Sequence, residues 1–137
     1  MASVFGRAAR QDPGRSPCPC GSRLEYSACC GPLLAGRRSA STALELMRSR
    51  YTAYSLGNAD YLFRTWHPAH RPDDIGLDPG TQWVGLSILA AERGGADDDT
   101  GTVEFVARYR DGSGHGTLHE HSEFVRKGGR WFYVQAG

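Results

Sequence analysis

Apolar positions recur at helical spacing in one part of the chain and at strand spacing in another. In "STALELMRSRYTAYSLG", Leu44, Met47, Tyr51 and Tyr54 fall three, four and three residues apart, which places them on one face of a helix. Ser41 or Thr42 is positioned to cap its start and Gly57 to end it. Asn58 suits the cap of a second, shorter helix with Ala59, Leu62, Phe63 and Trp66 on one face, and Pro68 stops it. From about residue 80 the period shortens to two. "TQWVGLSILAAE" mixes alternating and small residues, and "GTVEFVARYR" sets Val103, Phe105, Ala107 and Tyr109 on one side. "GTLHEHSEFVR" and "RWFYVQ" complete four candidate strands, separated by "GGADDDTG", "DGSGHG" and "KGG", all hairpin chemistry. Two helices followed by a four-strand antiparallel meander predict an α+β domain over residues 41–137.

The chain ahead of this domain has no such periodicity. Residues 1–16 are polar and contain Arg, Gly and Pro, which reads as a flexible leader. Residues 17–32, bracketed by Pro17 and Pro32, hold every cysteine of the protein, and 33–40 read as a short basic linker.

Composition narrows the class. A chain of 137 residues with 39 % hydrophobic and 10 % aromatic residues supports one core with a small appendage. Sixteen basic residues against 15 acidic ones leave a net charge of +1, which argues against a dedicated nucleic-acid binder. Contact with nucleic acid or a ribosome would have to rest on the leader and Arg37–Arg38, and ranks behind the other readings. Arg7, Arg10 and Asp12 interrupt the N-terminus before any signal-peptide core forms, and no segment approaches the roughly 18 apolar residues of a membrane span. A cytoplasmic protein without a membrane partner is expected, and a reducing compartment disfavours structural disulfides.

Cys18, Cys20, Cys29 and Cys30 therefore need another use. Four thiolates around zinc stand roughly 3.8 Å apart in a tetrahedron. An extended Cys-x-Cys points both side chains the same way, and "RLEYSA" is long enough for one helical turn that returns the second pair. A Cys29–Cys30 disulfide would be strained. Crossed bridges, Cys18–Cys29 with Cys20–Cys30, would require an oxidising compartment, and a redox Cys-x-Cys pair would leave Cys29 and Cys30 unexplained. A Zn²⁺ ion on all four cysteines is the leading reading, and four protein ligands leave no open position, so the site would be structural. Metal binding would supply the folding energy that so short a segment lacks.

"CPCGSRLEYSACCG" resembles the SEC-C motif of the SecA C-terminal tail, matching at Cys18, Pro19, Cys20, Gly21, Ser22, Tyr26, Cys29 and Cys30, while Arg23 and Leu24 stand where the motif has Gly-Lys. Together with "ALELMRSRYTAYSLGNADYLFRTWHPAHRP", "EHSEF" and "GGRWFYVQAG", it makes the chain similar to the YchJ-like family, over roughly residues 17–137. The resemblance implies a nuclear transport factor 2-like (cystatin-like) cone, helices held in the hollow of a curved sheet, behind the zinc module. It implies no established activity. Relatives in that superfamily often dimerise through the sheet, which makes a homodimer an expectation.

"TWHPAHRP" gathers Trp66, His67, His70 and Arg71 at a helix end. They could line a cleft for an anion or carbonyl; the plainer reading is Trp66 in the core, His67 at the helix C-terminus and Arg71 paired with an acid. On "HGTLHEHSEF", His119 and His121 face one side and Glu120 and Ser122 the other. A His115, His119 and His121 metal site lacks a fourth ligand. A Glu120–His67 acid–base pair is the sharper idea, and Glu120 salt-bridged to Arg71 or Arg64 the duller one. Asp97–Asp99 read as a solvated hairpin tip. The resulting expectation is a zinc-binding protein whose module contacts another protein. The alternative is a small-molecule-binding or isomerase/dehydratase-like enzyme using the cone cavity, with Trp66, His67, Arg71, Glu120 and Ser122 as its candidate residues.

Overall fold

The computed structural model describes residues 15–137, so the expected leader over 1–16 lies almost wholly outside the described residues. A 3-10 turn at Tyr26–Ala28 leads into α1 (Gly31–Leu34), α2 (Ala43–Leu56) and α3 (Ala59–Arg64). The strands β1 (Gln82–Arg93), β2 (Thr100–Asp111), β3 (Gly114–Lys127) and β4 (Arg130–Ala136) form one antiparallel sheet in sequential order.

The helix limits follow from local chemistry. Thr42 Oγ1 accepts the Glu45 backbone N–H at 3.0 Å, and the Glu45 carboxylate accepts the Ser41 N–H at 2.7 Å, so two N-terminal donors of α2 are satisfied. Gly57 ends α2 in the left-handed region at φ 73°, where a Cβ would be costly. Asn58 Oδ1 accepts the Tyr61 N–H at 3.0 Å and starts α3. This helix ends at Arg64, earlier than the expected run to Trp66, and it buries Tyr61 and Leu62 while Phe63 stays exposed.

Residues after α3 do something else. The Tyr133 N–H donates to Thr65 O at 2.9 Å and the His67 N–H donates to Tyr133 O at 2.8 Å, a parallel bridge between Trp66 and Tyr133. The segment thus covers part of the free edge of β4, which would otherwise present unpaired backbone groups.

The sheet curves because β1 carries two irregularities, between Trp83 and Gly85 and between Ile88 and Ala90. The extra residues, Val84 and Leu89, are about half exposed, as expected where a bulge turns a residue outward and bends the strand. The α2 helix lies in the hollow. Its start is held by the Ala43 N–H on Gly94 O at 2.9 Å, and only glycine fits beneath it: a Cβ on Gly101 would stand 2.5 Å from Gly94 Cα and 3.2 Å from Ala43 Cβ.

The core joins the sheet (Val103, Phe105, Phe124), α2 (Leu46, Met47, Tyr51) and the N-terminal cysteine segment. Residues 33–40, expected as a linker, belong to it as well: Leu33, Leu34 and Ala40 are all buried. A charge-bearing stretch looked like a tether because its basic residues dominate the text, yet its apolar positions fill the gap beside α2. Among the described residues, no helix is long and apolar enough to cross a membrane.

Candidate metal centre and cavity

The cysteine segment folds as a small closed loop. Cys18 N–H donates to Leu24 O at 2.8 Å and Tyr26 N–H to Ser16 O at 2.9 Å, so residues 16–26 double back on themselves. Gly21 and Arg23, at φ 80° and 73°, make the turn. The 3-10 turn then delivers Cys29 at its end, and Cys30 precedes α1. The four sulfurs come within 4.8 Å of one another, with Cys20–Cys29 at 3.6 Å and Cys29–Cys30 at 3.9 Å. All four are free thiols, and three are buried. These separations match a tetrahedral tetrathiolate site, roughly 3.8 Å between sulfurs, so the residues present fit a metal ion.

Neighbours orient the sulfurs. Thr52 Oγ1 donates to the Cys30 sulfur at 3.3 Å and lies 3.7 Å from that of Cys18, and the Ser22 hydroxyl is 3.1 Å from the Cys29 sulfur. Arg48 Nη1 donates to Cys20 O at 2.7 Å, tying the loop to α2. Proton sharing within the group is unequal. The thiols of Cys18 and Cys30 hydrogen-bond to Cys20 and hold it far below the ordinary thiol range. Cys30 is pushed far up by its hydrogen bonds with Cys18 and Cys20 and by burial, and burial raises Cys29 to about 11. Burial and sulfur hydrogen bonds thus oppose ionisation of Cys29 and Cys30 in the protein alone, whereas a bound cation would favour the thiolate at each ligand.

On the other side of α2 lies a cavity of about 270 Å³ between the helix and the concave face of the sheet. Trp66, Glu120 and Ser122 line it. Two other candidates do not. His67 packs its ring on His70 and Phe132 at 5.7 and 6.2 Å and accepts the Ala69 N–H at Nδ1. Arg71 lies over the Phe63 ring at 3.9 Å. Successive residues of an extended segment point to opposite sides, so when Trp66 turns inward along β4, His67 turns away. The Glu120–His67 pair is therefore not assembled. Neither is an ion pair from Glu120 to Arg64, which binds Asp60 at 3.3 Å and Leu34 O at 3.0 Å. His119 instead pairs with Glu104 at 2.7 Å on the outer surface. Neither it nor exposed His115 and His121 belongs to the metal-competent group found among the described residues, which is the four cysteines. At the hairpin tip, Asp98 accepts the Gly95 N–H and Asp99 faces Arg126 at 3.5 Å.

The residue that sequence reading missed is Arg50. It is only 3 % exposed. Its Nη1 donates to Leu62 O at 2.9 Å and Thr65 Oγ1 at 2.8 Å, and its guanidinium lies 5.0 Å from the Trp66 ring centre and 4.6 Å from that of Tyr133. A signal was present: Met47, Arg50, Tyr51 and Tyr54 have the i, i+3, i+4, i+7 spacing, so an arginine interrupts the apolar stripe.

Comparison with known proteins agrees with this architecture. Residues 42–136 match the family described as YchJ, middle NTF2-like domain, and residues 15–32 match the SEC-C motif. A UPF0225 protein of Streptomyces coelicolor is 52 % identical over 118 residues, 86 % of this chain and 92 % of the relative. One of Chromobacterium violaceum is 48 % identical over 124 residues, covering 88 % and 91 %. The solution structure of a SEC-C motif containing protein from Rhodopseudomonas palustris superposes with a TM-score of 0.78 at 38 % identity, over 89 % of this chain and 98 % of that one. The crystal structure of a SEC-C motif containing protein from Psychrobacter arcticus gives 0.73 at 28 %, over 90 % and 82 %. A SEC-C segment packed on an NTF2-like cone, with UPF0225 relatives matched over most of their length, places this chain in the family of YchJ-like UPF0225 proteins.

Proposed function

We propose that the four cysteines hold one zinc ion in a closed structural site and that the module so organised is a protein-interaction element carried on the cone. The observation that supports the first half is the mutual approach of four soft thiol donors to within 4.8 Å with three of them buried. Zinc is the borderline-soft ion suited to such a donor set, and four protein ligands leave it no position for a reactive water. Bound there, it fixes the loop rather than performing chemistry. A tetrathiolate site requires reduced cysteines, which is in keeping with a cytoplasmic location.

The second half draws on the turn at Arg23 and Leu24. Leu24 is 53 % exposed, and its carbonyl accepts the Cys18 N–H at 2.8 Å, which ties the turn to a cysteine of the site. An apolar side chain held outward by a metal-braced turn offers a contact point with little ordering cost. His67 and Glu120 do not meet, so they form no acid–base pair.

Elemental analysis of reduced, purified protein and affinity capture test the reading together. One zinc per chain is expected in wild type and in Leu24→Glu, with capture of specific partners lost in Leu24→Glu and in Cys29→Ser/Cys30→Ser. Substoichiometric zinc removes the first half. Identical partners for all three proteins remove the second.

A further inference from the structure

Arg50 is a cation buried without an anion. Among the described residues it forms no ion pair, and the single acidic residue lining the same cavity, Glu120, makes none either. Burying a guanidinium without a charge partner is costly, and the cost is offset here in part by two carbonyl or hydroxyl acceptors and two aromatic faces. Those acceptors occupy Nη1 alone, while Tyr54 interacts with the side chain from the cavity wall. Burial lowers the Arg50 pKa to about 10, so it stays charged at neutral pH.

A second group in the same place lacks a partner. The Trp66 indole Nε1 is fully buried and has no hydrogen-bond acceptor. Buried donors are rarely left unpaired in native proteins, and an orphan beside an unpaired cation calls for one shared acceptor. Much of the remaining wall is aromatic, from Tyr51, Tyr54, Trp83, Phe105 and Tyr133, with the Ser122 hydroxyl also in the lining.

We propose that this cavity binds a small carboxylic acid with a planar apolar body, the carboxylate taken by Arg50 and the Trp66 N–H and the body held between the aromatic walls. A planar guanidinium fork matches a carboxylate, and with Arg50 the sole cationic side chain in the lining, a single negative charge is the match rather than a phosphate dianion. Size sets the rest. An enclosed space of about 150 Å³ takes benzene. Scaling to the 270 Å³ found here gives a ligand of about 11 non-hydrogen atoms, that of a phenylpropionate. Burial raises the Glu120 carboxyl, which keeps it easier to protonate beside an incoming acid. The proposal stands apart from the metal reading, since none of the four cysteines lines the cavity.

The test uses the full chain loaded with its metal and follows tryptophan fluorescence and heat on titration with 3-phenylpropionate, its neutral amide and 2-phenylethylamine. Trp66 and Trp83 line the site and report occupancy. Saturable binding of the acid is expected, about tenfold or more tighter than the amide because the charge-assisted bonds are lost in the amide. Arg50→Met should erase that preference. Should that variant not fold, Trp66→Phe keeps the ring, deletes the donor and is expected to weaken the acid severalfold, while Glu120→Gln is expected to leave it unchanged or tighter. The proposal is overturned by absence of saturable acid binding, by equal binding of acid and amide, by an acid preference that survives Arg50→Met, by an acid affinity untouched in Trp66→Phe, or by preferred binding of the amine that vanishes in Glu120→Gln.

Discussion

Two faces of α2 carry two differently made sites. On one face, Arg48 and Thr52 hold the cysteine loop, whose four donors come from thirteen consecutive residues and satisfy one another. On the other, Met47, Arg50, Tyr51 and Tyr54 face a cavity whose remaining walls come from residues 66 to 133, and there Arg50 is left without an anion and the Trp66 N–H without an acceptor. A local site can be complete in itself because short-range spacing fixes its geometry. A site assembled across the sheet is completed by what enters it. The two are joined through one helix, so each can be broken and the other watched.

Removing the zinc proposed for the cysteine loop should produce the largest effect. A chelator acting on the purified protein is expected to withdraw on the order of 10 kcal/mol of apparent stabilisation from the loop. Because Cys18, Cys20, Cys30, Leu33 and Leu34 share a core with α2, hydrogen exchange should accelerate in residues 16–34 and also in α2, with a lowered thermal midpoint. If α2 keeps its protection while the loop loses its own, the faces are independent and the coupling described here is wrong.

Next in size is Thr52→Val. It deletes the hydroxyl donated to the Cys30 sulfur and leaves the fold of α2 intact, so metal affinity in a competition titration is expected to fall by about tenfold or more. Unchanged affinity would mean that the helix merely touches the centre.

Arg23→Gly should act in the opposite direction. Arg23 holds φ 73°, a conformation that costs a side-chain-bearing residue roughly 1 kcal/mol and that glycine adopts freely. The SEC-C motif has glycine at this position. The variant is expected to melt a few degrees higher, and a lower midpoint would show that the Arg23 side chain contributes more than its backbone conformation takes away.

The smallest effect belongs to Glu120→Gln. Burial raises the Glu120 carboxyl above its value in the unfolded chain, so the folded state holds the proton more tightly and stability declines as pH rises from the unfolded pKa through the folded one. Wild type and variant should be alike below that window, and Glu120→Gln slightly more stable above it, at neutral pH, by thermal melts across pH. A variant less stable at neutral pH would reveal an anionic role for Glu120 in holding Arg50.

Much of the architecture is legible in the sequence. The caps at Thr42, Gly57 and Asn58, the four strands and the cysteine spacing each depend on residues within a turn or a pleat of one another. Leu33, Leu34 and Ala40 escaped because a short stretch rich in charge gives no period from which to infer burial. The clustering of His67 and Arg71 at a helix end does not carry them into the cavity: the pairing of Thr65 and His67 with Tyr133, a contact between distant parts of the chain, turns His67 away, and Arg71 lies on Phe63. Arg50 sat in plain sight on an apolar stripe, but whether such an arginine reaches water or is enclosed depends on what covers the helix.

The sequence by itself determined the metal-competent group, the caps of α2 and the start of α3, and the sequential order of the strands, since each is set by residues close together along the chain. Only the tertiary structure decided that positions 50, 66 and 120 meet, because two bulges in β1 curve the sheet around α2 and an extended segment beside β4 turns Trp66 inward. Burial then does the rest, taking from Arg50 the solvent that would otherwise have balanced its charge.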